Sequence, residues 1–254
     1  VLGCYRAPGR QPAPIDSQIA VMDYPNLQQF YIPEEQSIYL LSHDDAKKLK
    51  DWVNLCQQQL EQLGYTDIEM IGKGAFGFVF GGRDRNGRRL VFKFSRITLP
   101  QHIQDRLEEE AFMLGQVEHS QVPQLIEFQR IRRQAILVME RAAGMDLEQR
   151  SLQRGRLSPR LVVHFAAQMV DILKGLRNSA VRSRRPIVHG DIKPSNIVFD
   201  PESEIVDLID WGSSVFAQVD QNQQFVSNNV MELMSGDLQN SNARLGDVYF
   251  IGEE

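Results

Sequence analysis

Asp191, Lys193 and Asn196 fall within six residues of one another, in the run VHGDIKPSNIVF at 188–199. Together they offer a base, a cation and an oxygen donor. The carboxylate of Asp191 can accept a proton from a substrate hydroxyl, Lys193 can neutralise a phosphate in transfer, and Asn196 can hold a metal ion. Two apolar runs flank the segment, so it reads as a tight polar loop between strands or between a helix and a strand. Fourteen residues beyond Asn196, Asp210 ends the apolar run IVDLID, just before Trp211-Gly212. A carboxylate at a strand end is well placed to hold Mg²⁺ on phosphate oxygens, and Gly212 lets the chain turn away. Asp207 is the competing carboxylate, but no glycine follows it.

Phosphate chemistry also needs a cradle, and IGKGAFGFVF at 71–80 offers one. It carries Gly72, Gly74 and Gly77 in G-x-G-x-x-G order, followed by Val79. Glycines let a backbone approach phosphates and present N–H groups to them. The dinucleotide-binding form of the motif requires a helix after the glycines. Here a further strand follows, so the glycines belong to a hairpin, which argues against a Rossmann fold. The next strand, LVFKF, contains Lys93. Strand alternation puts Lys93 on the face of Val91, away from Phe92 and Phe94. A lysine held over phosphates needs a carboxylate to position it. The helix expected at 101–117 supplies Glu108, Glu109 and Glu110. Only Glu110 falls on the apolar side, three residues after Leu107 and four before Leu114; Glu108 and Glu109 are expected in solvent.

These residues must be positioned by an ordinary globular chain. It has 254 residues, 42% hydrophobic and 24% charged, which suits one large domain or two lobes. A net charge of −5 gives none of the basic excess of a nucleic-acid partner. Cys4 and Cys56 are too far apart in sequence to suggest a disulfide framework, and the five histidines show no metal-ligand spacing. No apolar run is long enough for a membrane span or a secretory leader, which points to a cytoplasmic protein. The sequence opens on Val1 rather than Met, so its natural start is expected upstream.

Residues 1–36 are rich in Pro and Gln and read as an extended arm, followed by a short strand, SIYLL, at 37–41. A helix is expected over 44–63, with Ser42 as its cap and Asp44 and Asp45 in its first turn. Its apolar stripe comprises Leu49, Trp52, Val53, Cys56, Leu60 and Leu63, and Gly64 stands at the stop position. That stripe must dock on something, either the domain that follows or a partner. From Tyr65 the pattern turns to strands: TDIEMIG, GFVFGGRD and RRLVFKF, then IEFQRI and QAILVME after the helix. Asn86-Gly87 marks a hairpin. From about 144 the chain becomes mainly helical. Ser158-Pro159 opens a helix whose expected buried residues are Leu161, Val162, Phe165, Met169, Ile172, Leu173 and Leu176.

Glycine loop, strand lysine, helix glutamate, Asp-Lys-Asn loop and second aspartate occur in one order, and in that order the sequence resembles the eukaryotic-type protein kinases. The resemblance runs from about Ile71 to the end of the chain. It implies an α+β, bilobal fold: a β-rich N-lobe with one helix at 65–141, and a mainly helical C-lobe at 142–254 that is incomplete in this chain. The N-terminal extension, 1–64, would precede both. ATP and Mg²⁺ would be the cofactors and a protein the substrate. By resemblance, Gly72, Gly74 and Gly77 cover the ATP phosphates, and Lys93 pairs with Glu110. Asp191 is the catalytic base, and Asn196 and Asp210 are the Mg²⁺ ligands. MERAA is similar to the family's hinge, with Met139 as gatekeeper and the backbone of Glu140 and Ala142 available to adenine. Ile71, Val79, Val91 and Val198 would line the adenine pocket, and Leu114, Phe128, His189 and Trp211 resemble the family's hydrophobic spine. Lys193-Pro194 resembles the serine/threonine subclass.

Several residues depart from the pattern. Gly190 replaces the arginine that holds a phosphorylated activation loop in many members, so that ordering switch is not expected. Val91 stands where the family usually has Ala, and Trp211 where it has Phe. No Thr follows Asp210, although Ser213, Ser214, Ser227, Ser235 and Ser241 do. The polar stretch at 218–224 reads as a mobile loop, and GDVYFIGEE at 246–254 resembles the family's Ala-Pro-Glu stretch, with Glu254 at its Glu. His-Gly-Asp and Asp-Trp are also the spelling of aminoglycoside- and choline-type kinases, which usually lack Lys-Pro. A small-molecule kinase and a non-catalytic binding module whose N-terminal helix docks a partner are therefore the two alternatives.

Overall fold

The computed structural model describes residues 5–6, 46–73, 77–132, 134–178 and 185–217. Cys4, the expected strand at 37–41, the Ser42 cap with Asp44 and Asp45, Gly74, and everything expected beyond residue 217 lie outside this set. The fold is α+β, and the chain divides into two compact units. The first comprises Val1–Glu108 and Leu125–Arg141, the second Glu109–Gln124 and Ala142–Glu254.

The first unit is built on one antiparallel sheet. Its strands are β1 (Tyr5–Arg6), β2 (Thr66–Lys73), β3 (Gly77–Arg83), β4 (Arg89–Ser95), β5 (Leu125–Ile131) and β6 (Gln134–Glu140), in spatial order β1-β5-β6-β4-β3-β2. Residue alternation gives β3 and β4 two different faces. One face carries Phe78, Phe80, Leu90, Phe92 and Phe94, all buried, continued by Ile136 and Val138 of β6. Helix α1 (Ala46–Gln62) closes over that face with Trp52, Cys56 and Leu60, and Leu63 and Tyr65 follow from the turn after it. Trp52 meets Phe78 edge-on at 4.9 Å, and Tyr65 meets Phe92 at 4.7 Å. Each such side chain contributes about 1.5–3 kcal/mol of burial. Of the stripe read from the sequence, Trp52, Val53, Cys56, Leu60 and Leu63 are thus spent on the unit's own core.

Helix α1 stops where the sequence places its stop. Gly64, at φ +91°, donates to Glu61 O at 3.0 Å, and Tyr65 N–H returns to Leu60 O at 3.1 Å. The β3–β4 hairpin turns on Gly87, and the buried carboxylate of Asp84 accepts from the N–H groups of Asn86 and Arg88 at 2.9 Å each. One element is new. Tyr5 and Arg6, expected in an extended arm, pair with Phe128 and Glu127 at the edge of β5. An edge strand offers unpaired backbone groups to any extended segment, so side-chain pattern cannot announce this pairing.

Helix α2 (Gln101–Leu114) is three residues shorter than expected. Gly115 follows, and the chain leaves the helix in a turn. Glu108, expected in solvent, is paired instead: Arg130 Nη2 reaches Asp105 Oδ1 and Glu108 Oε2 at 2.8 Å each.

In the second unit the hairpin of β9 (Ile197–Asp200) and β10 (Ile205–Leu208) pairs with β7 (Met145–Asp146), and β8 (Ile187–Val188) pairs with β11 (Val215–Phe216). Helix α3 (Leu147–Arg154) is capped by Asp146, whose carboxylate accepts from Gln149 N–H at 2.8 Å. Helix α4 (Pro159–Asn178) starts as expected, with Leu161 N–H directed to Ser158 Oγ at 3.4 Å. It buries Phe165, Ile172 and Leu176, and Phe165 stacks edge-on with Phe199 at 4.6 Å. Val162 and Leu173, expected inside, are 50% and 42% exposed. The periodicity marks a wider apolar stripe than these strands cover. Among the described residues no helix is long and apolar enough to cross a membrane, and no cluster of metal-ligating side chains stands out.

The core of the first unit yields two expectations. Leu60 of α1, fully buried against the sheet, should cost about 2–5 kcal/mol on truncation to Ala, read as a lowered denaturation midpoint. Cys56 is a free, buried thiol whose pKa is pushed well up by desolvation. It should resist maleimide in the native protein and react on unfolding, as peptide mapping of the label can show.

Candidate active site

Each unit carries part of the predicted constellation. In the first, register sets the face opposite the phenylalanines. Val79 pairs with Lys93 and Lys93 with Leu137, while Gly81 pairs with Val91 and Val91 with Met139. Directly paired residues share a face, so Val79, Val91, Lys93 and Met139 form one patch. Ile71 sits at a register shift of β2, and its Cγ2 lies 3.3 Å from the point a Cβ on Gly81 would occupy. Ile71 therefore reaches the same patch. Of the three glycines, Gly77 has a steric reason to be glycine: a Cβ there would lie 1.9 Å from Phe94 O. Gly72 has ordinary room, with Val79 as its nearest neighbour at 3.4 Å. The predicted hinge holds buried Met139 and half-buried Glu140, and the division between the units falls after Arg141, just before Ala142.

The second unit holds the polar loop. Pro194–Asn196 forms a single 3₁₀ turn, with Asn196 N–H donating to Lys193 O at 2.9 Å. That turn swings the Asn196 amide back over the loop. Its Nδ2 donates to Asp191 O at 2.8 Å and to Asp191 Oδ2 at 3.0 Å. Lys193 Nζ lies 3.0 Å from the same Oδ2. Read separately from the sequence, the three side chains prove to be one cluster centred on the Asp191 carboxylate. Asn196 is buried, and Asp191 and Lys193 are partly so.

His189 ties this loop to the segment bearing Asp210. Its Nδ1 accepts from Asp191 N–H at 3.3 Å, which leaves Nε2 to donate to Ile209 O at 3.1 Å. The ring is 2% exposed and stands edge-on to Trp211 at 4.8 Å. Ile209 N–H returns to Asn196 O at 2.9 Å. The two spine residues assigned to this region are therefore in contact. Asp207 lies inside β10, opposite Val198 of β9, whereas Asp210 lies past the strand at φ +65°. A Cβ on Gly212 would lie 3.6 Å from Glu110 Oε2 and 3.8 Å from Asp210 Oδ1. The carboxylates of Glu110 and Asp210 thus both border Gly212. Glu110 is buried, and Glu109 beside it is exposed.

Gly190 has a local explanation. It sits at φ +82°, and a Cβ there would lie 2.4 Å from Ser213 O. Sequence reading singled out Gly190 but missed the reason, which is the return of the chain past it. It also missed Ser214, whose Oγ donates to His189 O at 3.1 Å. Gln121 was missed too. Its carbonyl accepts from Leu208 N–H at 3.0 Å and its amide donates to Val206 O at 2.7 Å, steadying β10 on the way to Asp210. No spacing rule finds a contact across 85 residues.

Residues 65–234 match the family model described as the protein kinase domain. The chain belongs to the protein kinase family. It is 34% identical over 149 residues to the serine/threonine-protein kinase dkf-2 of Caenorhabditis briggsae, a match covering 57% of this chain and 12% of that one. It is 30% identical over 158 residues to serine/threonine-protein kinase C of Synechocystis, with 58% and 28% covered. Human serine/threonine-protein kinase D2 is 32% identical over 150 residues, with 57% and 16% covered. The matched stretch spans less than a third of each of these relatives.

Gly190→Ala should lower stability by about 1–3 kcal/mol, because left-handed backbone and a clash with Ser213 O act together. The denaturant midpoint measures it, and an unchanged midpoint contradicts the steric account.

Proposed function

We propose that the chain transfers the γ-phosphoryl group of ATP to serine or threonine hydroxyls of proteins, with Mg²⁺. The observation that carries the reading is the cluster on Asp191. A carboxylate held at one oxygen by Lys193 and Asn196 keeps its orientation and its acceptor character, which is what taking a proton from a hydroxyl requires. Lys193, at that carboxylate, is placed to offset charge developing on the phosphoryl group.

The donor set suits magnesium. Asn196 commits its amide nitrogen to Asp191, so its amide oxygen is the atom available to a cation. Asp210 adds a carboxylate, and both are the hard oxygen ligands that Mg²⁺ prefers. Bound there, the metal would supply positive charge to the phosphate oxygens. In the same proposal Lys93, positioned by Glu110, holds the phosphates, and Gly72, Gly74 and Gly77 cover them. Met139, Ile71, Val79 and Val198, with the backbone of Glu140 and Ala142, receive the adenine. A cytoplasmic location, where ATP and Mg²⁺ are available, goes with this reading.

The small-molecule alternative rested on Gly190 and Trp211. Contact with Ser213 accounts for Gly190 without reference to the acceptor, and Lys193-Pro194 favours the serine/threonine reading. Helix α1, invoked by the binding-module alternative, already spends Trp52, Val53, Cys56 and Leu60 of its apolar stripe on the core of the sheet.

Intact-mass spectrometry after incubation with Mg²⁺ and ATP tests the proposal. Wild type should gain phosphate-sized increments on itself or on an added protein, and chelation of Mg²⁺ should stop them. Asp210→Ala should fall below ~1% of the wild-type rate, a loss of at least ~2.7 kcal/mol at the barrier. Transfer to choline, sugars or aminoglycosides but not to protein selects the small-molecule reading, and substantial activity in Asp210→Ala removes Asp210 from the metal site.

A further inference from the structure

Helix α4 carries two apolar stripes, and only one of them is covered by the described residues. Phe165, Ile172 and Leu176 share the buried arc. Val162, Val163, Val170 and Leu173 fall within a second arc of about 100° on another side of the helix. They are 50%, 70%, 48% and 42% exposed. Ala166 lies among them, also exposed, and adds no polar group. A helix at a protein surface shows one apolar stripe, whereas a helix apolar on two sides calls for cover on both. The second arc is also cationic at its C-terminal end, where Lys174 and Arg177 stand exposed on it or beside it. Asp171 lies beyond its edge, 3.5 Å from His119 Nε2.

A segment of fitting chemistry starts close by. The described part of the second unit ends at Ala217, whose N–H donates to Pro186 O at 2.7 Å beside the β8–β11 pair, and α4 packs against β8. The residues that follow therefore begin next to α4. Val226, Val230 and Leu233 recur at i, i+4 and i+7, the spacing of one helical stripe. The chain from Ala217 to Val226 can reach about 30 Å when extended, which is about the length of α4. From 218 to 243 the sequence holds Asp220, Glu232 and Asp237 and no lysine or arginine. Its charge is thus opposite to that beside the α4 arc. The matched kinase domain runs to residue 234, so Val226, Val230 and Leu233 belong to the same domain as α4.

We propose that the outer arc of α4 is a docking face whose occupant is the segment 225–238 of this chain. Val226, Val230 and Leu233 lie against Val162, Val163, Val170 and Leu173, with Glu232 and Asp237 toward Lys174 and Arg177. Docking requires neither ATP nor catalysis, so it stands or falls apart from the kinase reading.

Photo-crosslinking of the full chain tests the docking. In Val163→p-benzoylphenylalanine the probe occupies an exposed position of the arc, so the fold does not depend on the valine it replaces. Irradiation and peptide mapping should give a cross-link within one chain to residues 225–238. Leu152→p-benzoylphenylalanine places the same probe on α3, off the arc, at a position 84% exposed, and should give little of that product. Leu233→Asp, which puts a charge into the apolar contact, should lower the yield from position 163 about tenfold. Equal yields from positions 152 and 163 mean that the segment meets α4 only in passing, which overturns the docking. An unchanged yield in Leu233→Asp, a cross-link to another part of the chain, or no cross-link from position 163 overturns it as well. A cross-link between two copies makes the arc a homodimer face instead.

Discussion

The second unit depends on the buried imidazole of His189. One ring nitrogen accepts the Asp191 amide and the other donates to the Ile209 carbonyl, so a single side chain fixes the loop that carries Asp191 against the segment that carries Asp210. Both groups it satisfies are backbone groups that would be costly to bury unpaired. The edge-on Trp211 ring leaves the imidazole little freedom to turn. From this anchor the Asn196 amide and the Lys193 ammonium converge on Asp191, and Ser214 closes the other side through the His189 carbonyl. Because each partner holds another partner, the cluster is a network rather than a set of independent contacts.

The first unit is governed by a different constraint, the strict two-sidedness of a strand. Phenylalanines at alternate positions of β3 and β4 must be buried, and α1 buries them. The opposite face is then left to Val79, Val91, Lys93 and Met139. The placement of a charged lysine in a run of apolar residues follows from this division, since Lys93 faces away from the core that Phe92 and Phe94 build. The N-terminal helix is thus part of this unit's architecture, because without it a face of phenylalanines and aliphatic side chains would meet water.

Much of this was legible residue by residue. The spacing of Trp52, Cys56 and Leu60 gave α1 its stripe, Gly64 gave its end, and Ser158-Pro159 gave the start of α4. Glu110 was separable from Glu108 and Glu109 by helical phase, and it is the one of the three that is buried. Other points were not legible. Glu108 was read as solvated because Arg130, its partner, lies on a strand 22 residues away. Val162 and Leu173 matched the apolar period of α4, yet they face outward, since periodicity reports what a helix can bury and not what is there to cover it.

The sequence by itself determined the local elements, their order and the family to which the chain belongs, because these depend on periods of two and 3.6 residues and on motifs a few residues long. It also named the chemical groups, since only certain side chains can give or take a proton or hold a cation. Tertiary structure alone decided how those groups are joined: Asn196 and Lys193 on one oxygen of Asp191, His189 between two loops, Gln121 beneath β10, Ser213 against Gly190. The first of these is closed by a turn within one loop; the others link segments whose approach is set by the packing of the whole unit, and no local preference of the residues involved encodes that approach.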